Sequence, residues 1–254
     1  MEIVLLGAGG YHPNSHRHTT CVMIPERGIL IDAGSGAFRV ASRLATEQLD
    51  LFLTHAHLDH ISGLTFLLGL FPGDDPARMR VFGEREKLDA VRQHLYSDPI
   101  FPVEPNWTPS ALPAVTGKMP LRGGGSVTWF PLDHPGGSIG YRFDGLDSAA
   151  PGKSFALVTD TTAAEDAEYR RHLDGVDLLI HEAYFEDSRR DFAVKTGHSC
   201  VGEVAQLAAD IGAARLVLTH MNPRVDEHEP FDLGQAKEIF SAVEFGQDEM
   251  VIDL

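Results

Sequence analysis

Short apolar runs alternate with polar turns along the whole chain, and many of the runs stop on a side chain able to ligate a metal or move a proton. Runs of this length, bounded by Gly, Pro or Asp, predict strands. They fall at residues 2–6 (EIVLL), 21–24 and 29–31 around a PERG turn, 51–53 (LFL) and 79–83 (MRVFG). Further on they recur at 126–131 (SVTWFP), 139–143 (IGYRF), 154–159 (SFALVT), 176–180 (VDLLI) and 215–219 (RLVLT). Helical spacing predicts a helix over 37–44, with Phe38, Val40, Ala41 and Leu44 available for a buried face. Other helices are expected at the largely apolar 61–70, at the charged amphipathic 84–96 and at 201–209. Strands alternating with helices, with no repeat or linker, predict one layered α/β domain over residues 1–254.

Two loops stand outside this pattern. GAGGYHP after the first strand mimics a dinucleotide fingerprint, but Pro13, Asn14 and Ser15 continue the loop where that fingerprint needs a helix. The loop also carries His12, His16, Arg17 and His18, of which Arg17 is the strongest candidate for a substrate phosphate. A proline-rich insert around 96–115 is long for a compact domain. It reads either as a lid or oligomer contact, or as a fixed surface loop with Tyr96, Phe101 and Trp107 tucked inward.

The chemistry concentrates in LFLTHAHLDH, residues 51–60. His55 and His57 stand two apart on a turn leaving a strand, and Asp59 and His60 follow where the chain enters the next helix. Imidazole with a little carboxylate favours Zn²⁺ or its borderline neighbours over Mg²⁺ or Ca²⁺. Later strands end near His134, Asp160, His181 with Glu182, and His220. Asp32, in DAGSG, reads either as a brace for the metal loop or as a helix-entry turn residue.

Composition narrows the partners. A net charge of −16 argues against binding an extended polyanion, which requires neutralising phosphates with Lys and Arg. Thirteen histidines against two cysteines favour metal chemistry in a reducing compartment over a disulfide framework. The N-terminus has no signal-peptide pattern and no segment approaches a membrane span, so a soluble, cytoplasmic protein is expected.

THAHLDH resembles the HxHxDH signature of the metallo-β-lactamase superfamily, and His134, Asp160 and His220 arrive in that superfamily's order. PNSHRHTT, HEAYF (181–185) and GHSC (197–200) are similar to motifs of its ribonuclease Z-like branch, and the tail MVIDL resembles the family's last strand. The resemblance implies a four-layer αββα sandwich holding two divalent cations, Zn²⁺ first and Mn²⁺ second. It implies His55, His57 and His134 on one cation, Asp59, His60 and His220 on the other, and Asp160 between them. A water acidified by both cations would attack phosphorus. With Asp59 in the catalytic set, His198 is the expected general acid, oriented by Glu182, and Arg224 is a second candidate for a phosphate oxygen. His181 is expected to be structural.

Transfer-RNA-processing members of the branch carry a long basic arm, and nothing like it is found here, with only 25 residues between His134 and Asp160. The expected substrate is therefore a small phosphodiester, a cyclic nucleotide or related cyclic phosphate. The alternatives are a tRNA 3′-processing endoribonuclease, a lactonase or thioesterase, and a non-catalytic biosynthetic partner. A homodimer is compatible with all of them.

Overall fold

The computed structural model describes residues 1–225 and 228–254. Among them, strands β1 to β14, in chain order, form two seven-stranded sheets. The first sheet contains β1 (Glu2–Gly7), β2 (Cys21–Ile24), β3 (Ile29–Ile31), β4 (Leu49–Phe52), β5 (Met79–Gly83) and β6 (Thr108–Ala111). The second contains β7 (Gly117–Pro120), β8 (Ser126–Leu132), β9 (Ser138–Asp144), β10 (Ser154–Val158), β11 (Leu178–Glu182), β12 (Arg215–Thr219) and β13 (Val243–Phe245). The last strand, β14 (Met250–Asp253), returns to pair antiparallel with β1 in the first sheet.

Period-two alternation sorts the strands into layers, because successive side chains point to opposite faces. Ile3 and Leu5 of β1 join Phe155 and Leu157 of β10 in a core between the sheets, with Phe52, Trp129, Tyr141 and Phe143. Val4 and Leu6 face the other way, into a second cluster with Leu51, Leu64 and Trp107 under the helical segments of the first sheet. Ala156 and Val158 face a third, built with Val204, Ala205 and Ala208 of a helix over Val201–Asp210. Three apolar layers between four layers of secondary structure make the αββα sandwich.

Direction of travel then creates one functional edge. β3, β4 and β5 run parallel, as do β10, β11 and β12, while β8 lies antiparallel to β9 and β9 to β10. The C-terminal ends of β3, β4, β8, β10, β11 and β12 therefore deliver Asp32, His55, His134, Asp160, Glu182 and His220 to the same rim. Ligand sites outside the carboxyl ends of parallel strands are the general rule in such sheets.

Several expected elements differ in detail. The strand expected at 176–180 runs over Leu178–Glu182, so His181 and Glu182 lie inside the ladder rather than beyond it. The helix expected over 37–44 is a 3₁₀ turn, Ser35–Arg39, followed by a single α turn, Val40–Arg43. Of its expected face only Val40 is buried, and Phe38 is 54% exposed. The apolar 61–70 likewise forms one α turn, Leu58–Ile61, and a 3₁₀ segment, Ser62–Leu67. Its Gly63 donates to the Ala33 carbonyl at 2.7 Å, and a Cβ there would come within 2.2 Å of the Gly34 carbonyl oxygen. Contact with the loop after β3 thus overrides helical propensity.

The proline-rich insert supplies β6, an edge strand whose Pro109 does not interrupt a central ladder. Tyr96 and Trp107 are buried, Trp107 Nε1 donating to the Tyr96 hydroxyl at 3.3 Å and that hydroxyl to the Leu64 carbonyl at 3.1 Å. The inward-tucked reading describes this packing. Among the described residues no helix is long and apolar enough to cross a membrane.

Candidate metal centre and catalytic cleft

Sharp turns aim the side chains at the rim. Asp32, Asp160 and His220 each leave their strand in the left-handed region, with φ of +56°, +47° and +55°. His57 caps the Leu58–Ile61 turn in extended conformation, which separates His55 and His57 from Asp59 and His60. Gly10 lies against the His220 ring so closely that a Cβ would stand 2.3 Å from it.

His55, His57, His134 and Asp160 each bring one donor atom to within 4.8 Å of the others, and Asp59, His60 and His220 do the same. The Asp160 carboxylate lies between the two groups. Its Oδ2 is 3.6 Å from His55 Nε2 and 3.5 Å from His134 Nε2, and its Oδ1 is 3.3 Å from His60 Nε2 and 3.1 Å from His220 Nε2. Asp59 Oδ2 adds contacts of 3.4 Å to His60 Nε2 and 3.3 Å to His220 Nε2.

Outer partners decide which nitrogens face inward. His60 Nδ1 meets Asp32 Oδ2 at 2.7 Å, His134 Nδ1 meets the Gly197 carbonyl at 2.9 Å, and His55 Nδ1 meets Thr54 Oγ1 at 3.0 Å. Thr54 in turn donates its hydroxyl and its N–H to Asp32. Each acceptor takes a proton on Nδ1 and leaves the Nε2 lone pair turned inward. His60 Nε2 is then 3.3 Å from His220 Nε2, and His134 Nε2 is 3.4 Å from His57 Nδ1. The buried Nε2 of His55 has no hydrogen-bond partner among the described residues. Converging lone pairs repel unless a cation or proton sits among them, so these donors fit divalent metal.

Charge follows the same logic. Burial opposes ionisation of Asp160, but His220, His60 and His55 hold its carboxyl well below the usual range; for Asp59, His60 and His220 likewise outweigh burial. Burial lowers the pKa of His60, yet Asp160, Asp32 and Asp59 outweigh it and raise the net value. A metal entering there displaces a proton. Burial and the charge of His60 depress His55, keeping it a neutral donor.

Beside the cluster, His198 Nδ1 lies 2.9 Å from Glu182 Oε1. Glu182 is fully buried and also accepts from the N–H groups of Thr161 at 2.9 Å and of Tyr184 and Ser199 at 3.2 Å. Burial works against the charged form of His198, but the Glu182 charge and hydrogen bond, with Asp160 and Asp59 beyond, raise it to about 9. A cavity of about 380 Å³ opens here, lined by His57, Asp59, Asp160, His198, His220 and Arg224 among others.

Arg17, the candidate phosphate ligand of the first loop, does not reach this cavity. Its side chain is buried, 3% exposed, and its guanidinium donates to the His228 carbonyl, because the loop folds beneath the segment after β12. His181 is buried between the Tyr169 hydroxyl, 3.1 Å from Nε2, and the Glu182 carbonyl, 2.7 Å from Nδ1. Pattern reading misses Tyr11, whose N–H donates to Asp59 Oδ2 at 2.7 Å, and the aromatic wall of Tyr184, Phe185 and Phe192. Only the YF of HEAYF hints at that wall.

The chain matches the β-lactamase superfamily domain over residues 27–221. The ribonuclease Z of Clostridium tetani is 27% identical over 318 aligned positions, covering 100% of this chain and 98% of that one. The ribonuclease Z of Methanosarcina acetivorans is 27% identical over 302, with the same coverage. Since 318 positions are needed to align 254 residues, the first relative carries several dozen residues that this chain lacks. Human tRNase Z, short form, superposes with a TM-score of 0.74 at 23% identity, covering 100% of this chain and 99% of that one. Zn²⁺-bound PqqB from Methylobacterium extorquens gives 0.72 at 17%, covering 100% of both. At those identities the two structures speak to the fold. With the family match spanning most of the sequence and the His/Asp cluster on the rim of an αββα sandwich, the chain belongs to the β-lactamase superfamily, in the ribonuclease Z-like branch of its metal-dependent hydrolases.

Proposed function

We propose that this protein hydrolyses a small phosphodiester, a cyclic nucleotide or related cyclic phosphate, using two divalent cations, Zn²⁺ or else Mn²⁺. His55, His57 and His134 would hold one cation, Asp59, His60 and His220 the other, and Asp160 both. When bound, such a pair supplies Lewis acidity at the phosphoryl oxygens and a nucleophilic water at neutral pH. The chain's own residues do the rest. His198, charged at neutral pH through Glu182, donates a proton to the departing alkoxide. Arg224 offers a fork of N–H donors to a phosphoryl oxygen. Asp59 and Asp160 keep the rim negative for the cations, and the Tyr11 N–H holds the Asp59 carboxylate in place.

The observation that carries this reading is the pair of buried Glu182 and part-buried His198, 2.9 Å apart, opening on the same cavity as the His/Asp cluster. A hydrolase acting on an ester with an easily expelled group has no need of such an acid. The size of the substrate is supported by the cavity, about 380 Å³, which lies in the range of small-molecule sites. β9 and β10 also pair directly through a connection of residues 145–153, without an intervening arm. The second reading, tRNA 3′ processing, is favoured by the names of the full-length relatives.

Purified protein assayed with Zn²⁺ or Mn²⁺ on bis-p-nitrophenyl phosphate, a cyclic nucleotide panel, a lactone, a thioester and a precursor tRNA separates these readings. Turnover of a cyclic phosphate with poor tRNA cleavage is expected, and efficient release of a tRNA 3′ trailer would replace the first reading by the second. Asp32→Ala tests the brace behind the cations. It leaves His60 Nδ1 and the Thr54 hydroxyl without their acceptor, and metal affinity is expected to fall by about 10- to 100-fold, measured by titration against a competing chelator.

A further inference from the structure

From His198 outward the cavity wall is a continuous run of rings. Tyr184 stacks on His198 with centroids 4.6 Å apart and planes 18° apart. Phe185 meets Tyr184 at 4.9 Å and Phe192 at 5.5 Å, the latter edge to face. Phe192 sits on a short helix, Arg190–Thr196, and is 44% exposed although it borders the cavity. The guanidinium of Arg189 lies 5.3 Å from the Phe192 ring centroid. That helix ends at Gly197, whose φ of +74° turns the chain directly into His198 and whose carbonyl accepts from His134 Nδ1. The outer end of the wall is thus fixed to both the proposed acid and a proposed ligand.

We infer that Phe192, with Arg189, is the subsite for a nucleobase, so that the substrate carries a planar heteroaromatic ring on the alcohol side of its phosphodiester. This deepens the phosphodiesterase reading and rests on it. A half-exposed aromatic face beside a charge-rich site suits a flat, polarisable group, and base–aromatic stacking is tolerant of which base is offered. A guanidinium over the same ring adds positive charge beside a nucleotide's phosphate, in a chain of net charge −16. An acyl chain would leave the guanidinium unused, and a bare sugar has no flat aromatic face to set against the ring.

The test compares ligands that differ only in the base. Adenosine 5′-monophosphate and ribose 5-phosphate are titrated calorimetrically into the metal-loaded protein and into the chelated protein. The expected wild-type result is an affinity about 10-fold or more greater for the nucleotide. Phe192→Ala should bring that ratio to within about twofold, Phe192→Tyr should restore it, and Arg189→Ala should reduce it partly. A wild-type ratio near one, no detectable nucleotide binding, or a ratio unchanged in Phe192→Ala overturns the subsite. Hydrolysis of the substrate panel is scored separately. A preserved ratio without phosphodiesterase turnover removes the functional reading and leaves the base subsite, whereas turnover with no base preference does the reverse.

Discussion

Asp160→Ala is expected to reduce bound metal from two equivalents per chain to less than one and to abolish hydrolysis. The carboxylate stands between the halves of the cluster, Oδ2 facing His55 and His134 and Oδ1 facing His60 and His220. In the proposed site, losing it would remove a ligand from each cation and also the charge that offsets their mutual repulsion. A residue behind the ligands costs about 10- to 100-fold in affinity or activity, and a shared ligand should exceed that. The fold should survive, because the three apolar layers do not include Asp160. Elemental analysis with far-ultraviolet circular dichroism separates the two effects. Two equivalents persisting in the variant would remove the shared-ligand assignment.

His198→Ala is expected to cost about 100-fold or more in kcat on the natural phosphodiester and far less on bis-p-nitrophenyl phosphate. A sugar alkoxide leaves as a strong base and needs a proton, whereas nitrophenolate is already stable as an anion. The geometry adds a constraint on the companion variant Glu182→Gln. Oε1 accepts from Thr161 and His198, and Oε2 from Tyr184 and Ser199, so both oxygens face donors. An amide NH₂ must oppose one of those pairs, at a cost of about 1–3 kcal/mol. Its loss of rate therefore has to be read beside its melting temperature. Equal losses on both substrates in His198→Ala would assign His198 to positioning, and loss of metal would make it a ligand.

What can be read in the sequence divides by range. His55, His57, Asp59 and His60 are crowded into six residues, and that density alone marks a metal loop. His134, Asp160 and His220 are singletons, but each follows an apolar run, so a rule about strand ends gathers them before any contact is known. Glu182 is gathered by the same rule, at the end of the run 176–180, but His198 follows no apolar run, and its link to Glu182 is found only through motif resemblance. Arg17 misleads because charge in a loop says nothing about where the backbone turns, and here it runs under residue 228. The apolar stretch 61–70 misleads for a related reason: Gly63 is pressed against the backbone of Ala33 and Gly34, a contact between segments distant in the chain. β6, β7 and β13 escape because they are edge strands of only three or four residues, two of them holding Pro, too short for an alternating pattern to stand out.

Among the described residues, five that are not glycine hold a positive φ, and four of them, Tyr11, Asp32, Asp160 and His220, lie at or directly behind the cleft. A left-handed backbone costs an L-residue roughly 1–2 kcal/mol, and glycine escapes that cost. Selection for stability and selection for chemistry therefore pull in opposite directions at these positions. A lineage that kept this fold but no longer needed its reaction would be free to drift toward glycine at the ends of β3, β10 and β12, gaining thermal tolerance as it lost the cluster.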